Sequence, residues 1–594
     1  MKLRARNILV LWISLSLLAP AAFSASGDGD LRISEFIKES LSAPGPPGLQ
    51  RKGDGMGRTL DLLLAGRPLP IACVSPLLLE LRRHRESLPF PLRESLRALS
   101  FRPSLSQEAI HQSRDGRFVI HYTVDALSPD AIEGADADLN GTPDPVDRVE
   151  AALARAAEIL SARMGWPLPV PGPRASQYDV YLVNLGTGRG GFTALDREIP
   201  GTPADDASSH ILIDAKSDPA RLESAVVHQF AHASLLALST RAPAWWSEAT
   251  ASWLESSVTG DPSLLRDAMS RRLERLDRSL VGDSLLLARG NSLWVSFLAE
   301  RREGDVPAVR QIWQEQSVRG ADPLSALLDE ILRRNGGDGL SGAFREFTRW
   351  ALFTGPRDDG EHFRLGSLFP PLVPRATHEV FPAASAGSES VEPLGAAVYR
   401  FVGDGSRGGL QVRFEAEAPA RLEADLVITP AGGNRQPYLV EMEPDASGRA
   451  QAGIPWRGVA EAMMIVRNPS TGGTPGRFHF AAEIDPLFPY DLSSFAALPA
   501  AGGVTLQWST SAETDLLGWN VYRSAAPGGP FLRINPVTLP SGGDSREETD
   551  YVYQDASAPQ GHRYYYVVEG ITVRGLPERS FPVSAEAAAA EPFP

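Results

Sequence analysis

The chain alternates between two textures. Short apolar runs bounded by Gly, Pro and Asp mark strands, and apolar positions three and four apart mark helices. Phe118-Val119-Ile120-His121-Tyr122 predicts a strand, with His121 as a strand residue. A helix follows from Val149 to Met164, stopped by Gly165 and Pro167. Asp179 to Val183 predicts a second strand. Ser209-His210-Ile211-Leu212-Ile213-Asp214 predicts a third, read as the sheet edge over the site discussed below. The glycine-rich stretch Gly186 to Gly191 follows a strand but lacks a phosphate-loop lysine. The next residues, from Phe192, read as a strand, so it is expected to be a turn. Ser217 or Asp218 can cap a helix that has Pro219 in its first turn, and Arg241-Ala-Pro243 breaks that helix. Another runs from Trp245 through Glu255. From Asp261 to Trp350 the pattern is helical throughout. Asp305 with Pro307 and Asp322 with Pro323 mark two starts, and Phe344, Phe347 and Trp350 share a face.

From about Val391 the period becomes two. Leu410 to Phe414 and Met464 to Arg467 alternate between Gly-rich turns, which predicts a sandwich to about Ile484. A last module starts near Ser493. Val504, Leu506 and Trp508 alternate on one strand, Trp519, Val521 and Arg523 on the next, and Tyr564, Tyr566 and Val568 on a later one. A core tryptophan early and a tyrosine-rich strand late resemble a fibronectin type III domain. The Ala-rich end reads as a disordered tail.

The N-terminus reads as a secretory signal. Lys2, Arg4 and Arg6 precede an apolar core from Ile8 to Leu18, and small residues follow to Ala25. No later segment reaches the ~20 apolar residues of a membrane-spanning helix. The expected location is therefore secreted or extracytoplasmic. Residues 26–112 read as an N-terminal extension or pro-segment. It is loose from Ala43 to Arg67, then helical with basic positions from Leu77 to Leu99, broken near Pro89 and Pro91. The remaining divisions are 113–375, 388–486 and 493–586. A net charge of −15 argues against nucleic acid as a partner, because phosphate binding needs basic patches. The single cysteine excludes an intramolecular disulfide, so the fold must be held by its cores, with or without metals. Cys73 reads as a small buried residue. The alternative is a thiolate ligand of a latent metal site, as an inhibitory pro-segment can supply.

Two stretches carry chemistry. In Asp136-Ala-Asp138-Leu-Asn140-Gly141-Thr-Pro-Asp144-Pro-Val-Asp147, oxygen side chains fall at positions 1, 3, 5, 9 and 12 of a twelve-residue loop, with Gly at 6. That is calcium-loop spacing, with Asp136, Asp138, Asn140, Asp144 and Asp147 as ligands and an aspartate where glutamate is usual at the end. The alternative is an acidic turn capping the next helix. In Ser224 to Ala233, His228 and His232 stand four apart and share a helix face, so both imidazoles can reach one metal. The spacing is that of the zinc-peptidase signature H-E-x-x-H. Gln229 stands where that signature has its general base.

A further stretch, Trp245-Trp246-Ser247-Glu248-Ala249-Thr250-Ala251-Ser252-Trp253-Leu254-Glu255, resembles the second-helix motif of gluzincin peptidases, roughly W-L-N-E-G-x-A-x-Y-x-E. The order of features from Gly116 to Thr354 is similar to a family of secreted bacterial metallopeptidase-like proteins. They share an I-H-Y strand, an acidic N-G-x-P-D loop, a D-V-Y strand, H-E-F-F-H and W-x-x-E-x-T-A-x-W-x-E. The resemblance implies a multidomain α+β protein: a gluzincin-like metallopeptidase unit of mixed sheet plus helices, followed by two all-β sandwich domains. It implies zinc held by His228, His232 and Glu248, with Glu255, seven residues on, orienting an imidazole. The partner implied is a peptide or protein.

The sequence departs from this pattern at the base. A carboxamide accepts no proton near neutral pH, and Glu223 lies off the ligand face. No tyrosine occurs between Tyr181 and Tyr399 to stabilise an oxyanion, and the region after the motif offers only His362 and His378. The reading is a secreted pseudopeptidase with zinc and calcium. The alternatives are an active zinc endopeptidase, and an extracellular binding or adhesion scaffold without metal.

Overall fold

The computed structural model describes residues 73–588, apart from 84, 88–89, 91–92, 94–95, 98–100, 133–135, 174, 186–189, 283, 303–305, 320–322, 407, 432–436, 487, 489, 527–528, 544, 546, 574–576 and 581. The signal segment, the loose stretch 43–67, most of the loop from Gly186, the helix-start residues Asp305 and Asp322, and the end of the Ala-rich tail lie outside the described residues. Among the described residues no helix is long and apolar enough to cross a membrane. The protein is mixed α+β with a β-rich C-terminal region, in two compact units. One comprises 1–273 with 281–372, the other 274–280 with 373–594.

In the first unit the N-terminal segment gives helix α1 (Ser75–Arg83). Then come β1 (Glu108–Gln112), β2 (Phe118–Thr123), α2 (Asp144–Ala156), β3 (Tyr178–Val183), β4 (Gly191–Glu198) and β5 (Ala207–Asp214). Helix α2 continues as a π-helical turn, Ala157–Arg163, and ends at Gly165, whose φ of +75° favours glycine. The strand order is β1-β2-β3-β5-β4. β2, β3 and β5 run parallel, and β1 and β4 close the two edges antiparallel.

This corrects two sequence expectations. β5 is not the edge. It pairs on both sides, with β3 and with β4, and all eight of its residues are buried, Ser208, Ser209 and His210 included. Its polar residues Ser208, Ser209 and His210 hydrogen-bond inside the fold. β4 is the edge instead. Glu108–Gln112, assigned to the N-terminal extension from sequence, pairs with β2 and so belongs to the sheet.

Helix α3 (Pro219–Leu236) starts where the sequence predicts. Asp218 caps it through the Arg221 backbone N–H at 3.1 Å, with Pro219 first in the helix. Helix α4 (Ala244–Thr259) ends at Gly260 in the left-handed conformation. Both helices are buried along most of their length, so neither shows an amphipathic stripe. Further helices of the unit are Arg266–Glu274, Leu285–Ala288, Ser292–Glu300, Val306–Arg319, Leu324–Arg334 and Gly339–Trp350.

The N-terminal segment is built into this core. Leu77, Leu78 and Leu81 of α1 pack with Tyr181, Val183, Phe192, Ala194 and Leu212 of the sheet. Burying each leucine is worth about 1.5–3 kcal/mol before ordering costs. Arg82 donates to the Leu195 carbonyl at 2.8 Å, and Arg83 donates to Thr240 at 3.0 Å and Ala242 at 2.7 Å. Those carbonyls belong to β4 and to the turn between α3 and α4, so α1 is pinned over both.

The second unit contains two sandwiches. In the first, a sheet of Arg449–Pro455, Gly409–Ala416, Gly476–Asp485 and Ala383–Ala384, with Glu389–Val391 beside it, faces a sheet of Tyr438–Met442, Glu423–Pro430, Val459–Arg467, Ala396–Val402 and Ala376–His378. Their inner faces share one apolar core that includes Tyr399, Phe414, Trp456 and Phe480. In the second, Tyr490–Ala500, Gly503–Glu513 and Thr549–Asp555 face a sheet centred on Leu516–Ser524 and Arg563–Thr572. Trp508, Trp519, Val521, Tyr566 and Val568 are buried between the sheets. The alternation read from sequence thus gives the inward faces. Residues 274–280, read as part of a continuous helical region, join this unit through backbone bonds from Leu280 to Leu394 and from Ala396 to Leu276.

Candidate metal centre

Helix α3 carries His228 and His232 on one face, and α4 packs across it carrying Glu248 and Glu255. The two imidazoles meet edge to face, with Nε2 atoms 3.2 Å apart. The Glu248 carboxylate closes on both, at 3.2 Å from His232 Nε2 and 3.4 Å from His228 Nε2. The fourth donor comes from far away in sequence. Cys73 Sγ lies 3.4 Å from His232 Nε2. The ligand atoms of Cys73, His228, His232 and Glu248 all fall within 4.8 Å of one another, and all four residues are buried.

The opposite nitrogen of each imidazole is already engaged. His228 Nδ1 bonds Glu255 at 3.0 Å, and His232 Nδ1 faces Ser247 Oγ at 3.3 Å. Glu255 is held in turn by Arg289, at 2.8 and 3.2 Å, and by the Ser224 hydroxyl. Each ring is thereby turned to present Nε2 to the cluster, which is how outer partners orient metal-bound histidines.

This donor set fits a metal ion. A tetrahedral zinc with bonds of about 2.0–2.3 Å sets its ligand atoms about 3.3–3.8 Å apart. The Cys73–His232 and His228–Glu248 separations of 3.4 Å fall within that range, and the His228–His232 and His232–Glu248 separations of 3.2 Å lie just below it. One sulfur, two imidazole nitrogens and one carboxylate form an acceptable zinc set. The charges agree. Burial and Glu248 push the Cys73 thiol up, but His232 and His228 outweigh them and lower it to about 6. Burial opposes ionisation of Glu248, yet His228 and His232 hold it well below the carboxylate range. Burial disfavours charge on His228, while Glu248 and Cys73 raise it well above its ordinary value. A cation bound among these donors would displace the protons they share.

Gln229 is hydrogen-bonded to the protein at both ends of its carboxamide. Its Oε1 accepts from Ser75 Oγ and Thr193 Oγ1, each at 2.9 Å. Its Nε2 donates to the Gly191 carbonyl at 3.1 Å and to Cys73 Sγ at 3.5 Å. Ser75 Oγ also accepts from the Thr193 backbone N–H at 2.9 Å, tying the start of α1 to β4. The space left beside His232, bordered by Ser75, Leu78, Arg82, Thr193 and Ser247, is about 30 Å³. Ser75, Leu78 and Arg82 of α1 form one wall of this space.

The other sequence candidates separate cleanly. In the acidic loop, Asp138, Asp144 and Asp147 bring carboxylate oxygens within 4.8 Å of one another. Asp136 accepts from the Asn140 and Gly141 backbone N–H groups at 3.0 and 2.8 Å, and Asn140 Nδ2 donates to Asp138 and Asp147. Gly141 makes the sharp turn at φ +88°. His121 bonds Glu108 and Asp179 and stacks on Tyr181. Glu223 is at the surface, paired with Arg155. His362 bonds Asp359 and stacks on Phe353, and His378 packs on Phe401 in the second unit. The histidine pair and Glu248 were legible in sequence. Cys73 reads from sequence as a small buried residue, with the metal ligand as the alternative, and nothing in the sequence singles out Ser75, Thr193 or Arg289. The one advance signal for Cys73 is that it is the single cysteine of the sequence, so it has no disulfide partner within the chain.

No protein-family model matches this chain, and no curated protein matches it. Among solved structures, an Fn3-like protein from Clostridium thermocellum is 24% identical over 17% of this chain and 93% of its own, with a TM-score of 0.13. The adhesin domain of Epf from Streptococcus pyogenes is 9% identical over 35% of this chain and 78% of its own, also at 0.13. Pectate lyase Pel3 from Pectobacterium carotovorum is 22% identical over 16% of this chain, at 0.13, and the match spans only 27% of the lyase. Likenesses this low carry no argument, so the functional reading rests on the site itself.

Proposed function

We propose that this chain is a secreted metallopeptidase-like protein whose site has become a closed metal centre, a pseudopeptidase and not a working protease. Its metal ligands are Cys73, His228, His232 and Glu248, with Glu255 positioning His228. The observation that carries the reading is Cys73, whose buried sulfur joins His228, His232 and Glu248 as a fourth protein donor, where a catalytic zinc would have three and an open position. Four protein ligands are the mark of structural sites. A bound zinc there would supply a cross-link between the N-terminal segment, α3 and α4. Gln229 supports the same reading, because it offers no base and its carboxamide is already engaged at both ends. Asp138, Asp144 and Asp147, with Asp136 and Asn140 beside them, would hold calcium at the start of α2. The partner is a peptide or protein, met outside the cytoplasm.

Zinc per chain and casein-type proteolysis, measured on the same wild-type preparation and on His228→Ala, test the proposal. The expected result is about one zinc per wild-type chain with proteolysis at background. Robust wild-type proteolysis abolished by His228→Ala would overturn it.

A further inference from the structure

The two departures from a peptidase, Gln229 and Cys73, touch each other. We propose that they form a single device: Gln229 is the latch that holds the Cys73 sulfur on the metal cluster, and α1 is the plug that the latch keeps seated. The inference deepens the closed-centre reading and rests on it.

A carboxamide has two N–H groups and one carbonyl oxygen. At Gln229 all are spent on the plug and its socket. One N–H faces the Gly191 carbonyl and the other faces Cys73 Sγ. The oxygen takes the Ser75 hydroxyl from the plug and the Thr193 hydroxyl from β4. Gly191 fixes which way the amide points, because a carbonyl needs a donor and a carboxamide oxygen is none. A glutamate here has the same length but no N–H. Its carboxylate would stand against a carbonyl oxygen and a sulfur, two electron-rich atoms, in a site where Gln229 is 2% exposed. The residue a protease needs at this position is therefore one that this socket repels. The glutamine is the residue that prefers sulfur as the fourth donor.

The rest of the plug is arranged to follow. Ser75 is two residues from Cys73 and joins the latch to the backbone of β4. Val74, Leu77, Leu78 and Leu81 are buried against the sheet, and Arg82 and Arg83 cap carbonyls at its rim. Freeing Cys73 loosens the end of the segment that lies directly on the metal cluster. The leucines hold the other end.

Cys73 is the only cysteine, so thiol modification of the full chain reports on it alone. The experiment measures the rate of maleimide labelling of native wild type, Gln229→Glu and Ser75→Ala against the denatured chain, with zinc per chain and near-UV circular dichroism on each sample. Native wild type is expected to label at least about 100-fold more slowly than the denatured chain. Gln229→Glu should keep its zinc and native dichroism yet label at least about tenfold faster than wild type, with Ser75→Ala between them. If Gln229→Glu loses its native dichroism, Ser75→Ala decides alone, because it adds no charge. Labelling of both variants as slow as wild type overturns the latch, whatever the zinc content. A zinc-free wild type whose variants still label faster supports the latch and overturns the metal reading.

Discussion

Cys73 Sγ and His232 Nε2 stand 3.4 Å apart although 159 positions separate them in the chain. The N-terminal segment is thus part of the site. Removing the sulfur should weaken metal binding without abolishing it, since His228, His232 and Glu248 remain. Cys73→Ala is expected to lower zinc affinity by at least about tenfold, read by chelator competition. Arg289→Met, which leaves Glu255 without its guanidinium, should cost about 10–100-fold through the orientation of His228. An unchanged affinity in Cys73→Ala would remove the sulfur from the ligand set.

The plug is also structural. Leu81 is 1% exposed and Leu77 is 2% exposed, both in the apolar cluster against the sheet. Leu81→Ala should destabilise the first unit by about 2–5 kcal/mol in chemical denaturation. A loss under about 0.5 kcal/mol, the range of surface substitutions, would mean that α1 is not part of that core.

A charged row across the sheet sets a pH window. Arg102 bridges Asp179 and Asp196 at 3.0 and 2.8 Å, and His121 and His210 bond the same two carboxylates. Burial pushes both carboxyls up, but for Asp179 the His121 bond and Arg102, and for Asp196 the His210 bond and Arg102, leave them lowered. Burial opposes charge on His121, and its bonds to Asp179 and Glu108 leave it raised. Carboxyls with lowered folded values contribute stability that is full above their unfolded value, about 3.9, and lost as pH falls through the folded value. A raised histidine contributes stability that is full below its unfolded value, about 6.5, and lost as pH rises through the folded one. The row is therefore strongest between roughly pH 4.5 and 6.5. Arg102→Met should cost about 1–3 kcal/mol in urea melts at pH 5.5, discounted because the guanidinium is partly exposed, and less at pH 3. A cost independent of pH would contradict the assignment.

The acidic loop makes a separate prediction. Millimolar calcium should raise the thermal midpoint of wild type, because ligand binding to the folded state alone stabilises it. Asp138→Asn with Asp147→Asn should erase most of that shift. An equal shift in the double variant would leave the loop as a helix-capping turn.

How much of this could be read from the chain depends on distance along it. The strands from Phe118, Asp179 and Ser209 and the helix bearing His228 and His232 follow from local pattern and caps, and the structure has them. The order of strands does not. β5 reads from sequence as an edge, but it pairs on both sides, and Tyr178 and Asp196 bond its Ser209 and His210 inside the fold. Residues 274–280 have helical periodicity but join the second unit through backbone bonds to residues more than 100 positions later. Glu248 was legible because its motif lies on the next helix. Cys73, Ser75 and Arg289 reach the cluster only through tertiary packing, which no local pattern encodes.

X-ray absorption at the zinc edge of the purified chain tests the closed centre most directly. The account predicts one sulfur at about 2.3 Å and three nitrogen or oxygen neighbours at about 2.0–2.1 Å. The sulfur should be missing in Cys73→Ala. A zinc shell of nitrogen and oxygen alone in the wild type, or a chain that binds no zinc, would contradict it.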